Sequence, residues 1–254
     1  MKIIVSPAKK MRAADDWMAA ETAPVYINEA ETLLKKLKSC TEPELKAIFK
    51  ANDSITHENF IRYRDMQRAG GPTPALLAYV GIQYQYMAPG VLEQRQYDYL
   101  QDHLRILSGF YGVLRPFDGV TPYRLEMGAR LSVDGCRDLY AFWGEKLARA
   151  LAGESGWVLD LASKEYSRAV LPHLPPSVRV VSCVFGELRP DGKVVEKGTL
   201  CKMARGEMVR WLAETGTTHP DGLPAFQGLG YRYDPDRSTG ARMVFLKTTQ
   251  SSAV

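Results

Sequence analysis

The chain has 254 residues, 33 basic and 29 acidic side chains, a formal net charge of +4 and 45% hydrophobic content. That length buries a full core, and the composition is that of an ordinary soluble globular protein with no internal repeat and no low-complexity segment. The slight basic excess permits an anionic partner only where cations cluster locally.

The N-terminus has no signal-peptide core, and no apolar run approaches the ~18 residues of a membrane span. A cytoplasmic protein with no membrane partner is the expectation. Cys40, Cys136, Cys183 and Cys201 form no C-x-x-C pair, and the four histidines are scattered. Reduced thiols, no metal and no cofactor follow as expectations.

In chain order, Lys2–Val5 reads as a buried strand that stops at Ser6-Pro7, delivering Lys9 and Lys10 at its carboxyl end. Ile27, Ala30, Leu34 and Leu37 make a helical stripe, and Thr41-Glu42-Pro43-Glu44 reads as the start of the next helix. A further helix is predicted over 55–68, a loop at 70–74, and a helix, or a helix passing into a strand, over 75–89. Residues 92–107 read as one long helix.

Ser108-Gly109-Phe110-Tyr111-Gly112 follows as a glycine-bracketed turn, with Val113-Leu114 opening a second helical turn before Pro116. That layout is a helix-hairpin-helix, in which hairpin amides at a helix start hold a phosphate. Arg105, Arg115, Arg124 and Arg130 lie in or beside it. The same string also suits a plain helix end with a C′ glycine.

Residues 121–127 alternate as a half-buried strand, with Arg124 and Glu126 on one face as an ion pair or a catalytic pair. A helix is predicted over 137–152 and a strand over 157–161. Ser163-Lys164-Glu165-Tyr166 then repeats the N-terminal order of apolar strand, small residue and lysine, with Ser163 as a helix cap. A strand over 178–188 turns at 190–193 into 194–195. A basic helix over 199–215 carries Lys202, Arg205 and Arg210, with Gly206 admitting close approach of another group. Strands near 231–233 and 243–246 close a single mixed α/β domain over 1–246, and a disordered tail is expected over 247–254.

The strings KIIVSPAKKM, ALLAYVGIQYQYM, YLQDHLRILSGFYGVLRPFDGVTPYRLEMG, LYAFWGEKL, DLASKEYS and KMARGEMVRW together resemble the YaaA family of bacterial peroxide-stress proteins over nearly the whole chain. Position 10 is lysine where the family favours threonine. The resemblance implies a protein that limits oxidative damage to DNA under peroxide, linked with lowered free iron. It also implies a helix-hairpin-helix-like element and a basic cleft in an unusual α/β fold. It implies no catalytic residues.

The expected function is therefore DNA binding, duplex or branched, without strong sequence specificity and with no obligate protein partner. Ser108, Gly109, Phe110, Tyr111 and Gly112 would present the hairpin to phosphate. Arg105, Arg115 and Arg124 would neutralise its neighbours, and Lys9, Lys164, Lys202 and Arg205 would line the cleft. The alternative is an enzyme on damaged DNA or a nucleotide, lyase- or glycosylase-like. Its candidates are Lys9 or Lys164 as nucleophile, with Glu165, Arg124 and Glu126 beside them. Cys183 reads as buried. Cys201 beside Lys202 reads as packed, or as a thiol of lowered pKa.

Overall fold

In the computed structural model, which describes residues 1–13 and 18–248, the apolar runs pair through crossovers into one sheet. The main strands are β1 (Lys2–Val5), β2 (Leu104–Ser108), β3 (Gly112–Leu114) and β4 (Trp157–Asp160). They continue with β5 (Arg179–Leu188), β6 (Tyr231–Thr239) and β7 (Arg242–Lys247). The order is β6-β7-β5-β4-β1-β2-β3, and Val194–Val195 pairs with β5 across the predicted turn. From β2 through β1, β4 and β5 to β7 the pairing is parallel; each edge closes with an antiparallel strand. This is the mixed α/β single domain expected.

β1 sits between β2 and β4, and Ile3, Ile4 and Val5 are fully buried, as a parallel strand covered on both faces requires. The chain leaves β1 for β2 on one side and later reaches β4 on the other. The carboxyl ends of β1 and β4 thus flank a topological switch point, where open α/β sheets form a crevice.

The helices follow their caps and stripes. α1 (Ile27–Ser39) buries Ala30, Leu33, Leu34 and Leu37 and ends among Lys36 and Lys38. At the start of α2 (Glu42–Phe49), the Glu44 carboxylate accepts from the Thr41 N–H at 2.6 Å and its hydroxyl at 2.8 Å. α3 (Asp53–Asp65) is capped by Asn52, which accepts from the Ile55 N–H at 2.9 Å. The aromatic stretch 75–89 divides into a helical turn, a two-residue strand pairing Lys10–Met11, and α4 (Ile82–Met87). α5 (Gln94–His103), α6 (Lys146–Ala152), α7 (Lys164–Ser167) and α8 (Gly198–Thr215) complete the elements used below. The helix predicted over 137–152 is broken at Gly144 into Leu139–Trp143 and α6.

The predicted helix-hairpin-helix does not form. The helix stops at His103, and Leu104–Ser108 is a strand buried along its full length, in register with β1 and turning into β3. Its turn lies in the interior, with Phe110 and Tyr111 fully buried. The hairpin amides are already used: the Ser108 hydroxyl oxygen accepts from the N–H of Phe110 at 3.1 Å and of Tyr111 at 2.8 Å. Trp143 Nε1 donates to the Gly109 carbonyl at 3.0 Å. Gly109 does serve close approach, but to the protein's own chain, since a Cβ there would lie 2.6 Å from the Leu125 carbonyl. The hairpin therefore sets the path of residues 123–127 rather than holding a phosphate.

Its flanking arginines are also engaged. Arg105 is buried in β2, and its Nε and Nη2 reach Glu154 Oε2 at 2.8 and 2.6 Å. Its Nη1 donates to the Gln101 and Leu104 carbonyls. Removing one partner of a buried pair costs about 3 kcal/mol, at the low end of the range because Glu154 keeps contact with water. Arg105→Gln is accordingly expected to lower the thermal midpoint by several degrees, read by thermal denaturation. Arg115 pairs with buried Asp118 at 3.3 Å. The strand predicted over 121–127 does not form, yet the burial alternates as predicted, with Tyr123, Leu125 and Met127 buried and Arg124 and Glu126 half-buried between them.

At the far end, Lys247 belongs to β7 and the Thr248 N–H donates to Gly230, so order extends past the predicted boundary at 246. Residues 249–254 of the predicted tail lie outside the described residues. Among the described residues no helix is long and apolar enough to cross a membrane.

Candidate functional site

Pro7 ends the ladder of β1 by its missing N–H, and Ser6 is left at the strand's carboxyl end. Two strands' ends are tied there. The Ser163 N–H donates to Ser6 Oγ at 2.8 Å, and the Ser6 hydroxyl donates to Ser163 Oγ at 3.2 Å. Above them opens a cavity of about 330 Å³ at the switch point. Four segments besides Ser6–Lys10 wall it: α4 with Gln83 and Tyr84, residues 123–126, α7 with Glu165 and Tyr166, and α8 with Lys202 and Arg205. Lys202 and Arg205 are three apart and share a helix face.

The charges are arranged in pairs around the rim. Lys9 Nζ lies 2.8 Å from Glu126 Oε2, and Arg124 Nη2 lies 3.5 Å from Glu126 Oε1. Glu165 Oε1 accepts from the Gly128 N–H at 2.8 Å. Five basic side chains, Lys9, Lys10, Arg124, Lys202 and Arg205, and two carboxylates, Glu126 and Glu165, line the cavity. The tyrosine hydroxyls are neutral donors: burial pushes Tyr84 and Tyr166 well above their ordinary range and Tyr123 up to about 12. Tyr84 donates to the Ser6 carbonyl at 3.1 Å.

Two guanidinium atoms stand out. Among the described residues, Arg124 Nε and Arg205 Nε are the buried side-chain nitrogens with no hydrogen-bond partner, and both side chains line this cavity. A buried donor left unpaired costs about 1–3 kcal/mol, so each calls for a physical reason such as strain, an ordered water or a ligand. Arg205 also borders a second cavity of about 420 Å³ with Asp160, Lys164, Ser167 and Glu196. Asp160 closes β4 and accepts from Ser167, Ser182 and the Ala162 N–H, while burial raises its pKa.

Of the residues singled out in the sequence, Lys9, Arg124, Glu126, Glu165, Lys202 and Arg205 converge on the first cavity, and Lys164 lines the second. Arg105, Ser108, Gly109, Phe110, Tyr111, Gly112 and Arg115 line neither. The Ser6–Ser163 tie and the contributions of Gln83 and Tyr123 were not predicted as site features. Their trace in the sequence is the repeated order of strand, serine and lysine. Lys9 is 66% exposed and bound to a carboxylate, unlike the apolar or multiply cationic settings that activate a lysine nucleophile.

Residues 1–237 match the family described as "Peroxide stress protein YaaA". The chain belongs to the YaaA family. It is 49% identical to a UPF0246 protein of Desulfitobacterium hafniense over 247 residues, covering 97% of this chain and 98% of that one. It is 47% identical to UPF0246 proteins of Pediococcus pentosaceus and Agathobacter rectalis, over 97% and 96% of this chain and 98% of each relative.

The cysteines of this YaaA-family chain are free thiols, and Cys40, Cys183 and Cys201 are buried. The lowered pKa predicted as one option for Cys201 is not found. Burial and then the Glu196 carboxylate push it up to about 11, and its Sγ–H donates to the Phe185 carbonyl at 3.2 Å. The thiolate, which is the reactive form, therefore stays scarce below pH 11. Alkylation followed by mass spectrometry is expected to label half-exposed Cys136 first, with labelling of Cys201 still rising between pH 8 and 10. Complete labelling of Cys201 at pH 7 alongside Cys136 contradicts this.

Proposed function

We propose that this YaaA-family protein binds DNA, duplex or branched, by its sugar–phosphate backbone at the cleft outside β1 and β4, and that it limits oxidative damage to DNA under peroxide by occupying it. The observation that carries this reading is the gathering of Arg124 and Arg205 with Lys9, Lys10 and Lys202 around one cavity. A guanidinium fork matches phosphate oxygens in plane and in spacing, and keeps its charge when desolvated. Exposed Lys9, Lys10 and Lys202 extend the positive rim toward neighbouring phosphates. Backbone recognition positions a nucleic acid without reading its sequence, in keeping with weak specificity.

Binding of this kind releases counterions, so the logarithm of affinity falls against the logarithm of salt with a slope of about 0.9 per phosphate contacted. Charge reversal by Lys9→Glu with Lys202→Glu is expected to weaken binding at least tenfold and reduce that slope, read by fluorescence anisotropy. Affinity that stays level between low and moderate salt contradicts the proposal. Any effect on free iron is then indirect, and stoichiometric iron carried through gel filtration counts against that part.

A second reading, an enzyme on damaged DNA or a nucleotide, draws on Glu126 and Glu165. Carboxylates repel phosphate, so their presence in this cavity suits proton transfer or a sugar contact. Borohydride trapping on abasic DNA tests its lyase form. No covalent adduct with the unmodified protein ends that form, and an adduct lost on Lys9→Ala or Lys164→Ala upholds it.

A further inference from the structure

We infer that the 330 Å³ cavity seats a single nucleoside monophosphate unit, its phosphate on Arg124 and Arg205 and its sugar and base among Glu126, Glu165 and the buried tyrosines. This rests on the phosphate-recognising cleft proposed above and goes beyond backbone contact. The first ground is size. Small-ligand sites run from roughly 300 to 1,000 Å³, so this one takes a nucleotide and shuts out a duplex, which must remain at the rim.

The second ground is the division of chemistry within one enclosure. The guanidinium groups of Arg124 and Arg205 line the cavity and supply donors for an anion. Glu126 and Glu165 are acceptors that a phosphate must avoid, and they match the hydroxyls of a sugar or the amino and imino edge of a base. Carboxylates serve sugar hydroxyls in this way at nucleotide-binding strand ends. The neutral, buried hydroxyls of Tyr84, Tyr123 and Tyr166 belong to rings that give a base an apolar wall. The third ground is place: the cavity lies where the strand connections diverge, outside the carboxyl ends of β1 and β4.

Two sources supply this unit. A nucleotide within a DNA strand reaches the cavity only when turned out of the stack, which costs least in single strands and at mismatches. A free nucleoside monophosphate enters directly. The probes are a mismatched duplex and a single strand carrying 2-aminopurine, and free 2-aminopurine deoxyribonucleoside 5′-monophosphate.

For the full-length protein, a saturable change of at least twofold in strand-borne probe fluorescence is expected, reversed by adding unlabelled monophosphate. The corresponding nucleoside and inorganic phosphate should each compete at least tenfold more weakly. Arg124→Gln with Arg205→Gln, its fold checked by circular dichroism, should abolish the change. Monophosphate binding without any DNA binding upholds the nucleotide seat, identifies the free nucleotide as its occupant and ends the DNA reading. DNA binding with an unchanged probe and no competition by the monophosphate overturns the seat and leaves the DNA reading in place. Inorganic phosphate competing as well as the monophosphate also overturns it.

Discussion

Replacing Arg124 and Arg205 together by glutamine is expected to lower DNA affinity by two orders of magnitude or more at moderate salt, while the thermal midpoint moves little. A hydrogen bond from a charged group contributes about 1.5–3 kcal/mol, or roughly tenfold to a hundredfold per contact. Each guanidinium offers a fork that glutamine cannot reproduce. In the free protein the same residues contribute less. Arg124 reaches Glu126 at 3.5 Å and Arg205 reaches Glu196 at 4.0 Å, both long for charge-assisted bonds, and each Nε is buried without a partner. Ordinary structural arginines behave in the opposite way, since their removal lowers stability and leaves binding by the folded fraction intact. Anisotropy and thermal melts on one preparation separate the two. Strong destabilisation with unaltered affinity is the result that contradicts a binding role.

Gly206→Ala is expected to destabilise the protein by about 1–3 kcal/mol and to weaken ligand binding without touching a ligand contact. Alanine in a helix interior normally stabilises by about 0.5–1 kcal/mol relative to glycine. Here a Cβ would lie 2.0 Å from the Gln83 carbonyl oxygen and 3.0 Å from the Met87 nitrogen, both backbone atoms of α4. Neither can rotate away, so α4 and α8 must separate. Those helices carry Gln83, Tyr84, Lys202 and Arg205, and separating them widens the cavity. Gly198→Ala, on the same helix with open space around it, is the control and should leave urea midpoint and affinity unchanged. A neutral Gly206→Ala would mean that the two helices are not held in backbone contact.

The strand ends were legible in the sequence because Lys-Ile-Ile-Val and Trp-Val-Leu-Asp are short apolar runs stopped by small polar residues. From that, Lys9 and Glu165 stood out as groups carried to strand ends, and both line the first cavity, whereas Lys164 lines the second. The alternation around Arg124 and Glu126 also held, through burial of Tyr123, Leu125 and Met127, although no strand forms there and none among the described residues pairs with it.

Residues 104–114 misled for a physical reason. Leu100, Leu104 and Leu107 satisfy helical spacing, and a short run buried on both faces carries no period of its own. The glycines that suggested an exposed phosphate loop instead serve a tight buried turn, with Gly109 lying against Leu125–Met127. Arg105 looked like a contact residue because its partner, Glu154, lies 49 positions away. The cavity itself joins Ser6 to Ser163 across 157 positions, a contact that periodicity cannot reveal.

The most direct test of the central claim is the salt dependence of duplex binding for the unmodified protein and for Arg124→Gln with Arg205→Gln. Two lost phosphate contacts should reduce the magnitude of the slope of log affinity against log salt by about 1.8, twice the ~0.9 expected per contact. Parallel lines with equal slopes would contradict the assignment of these two arginines to phosphate.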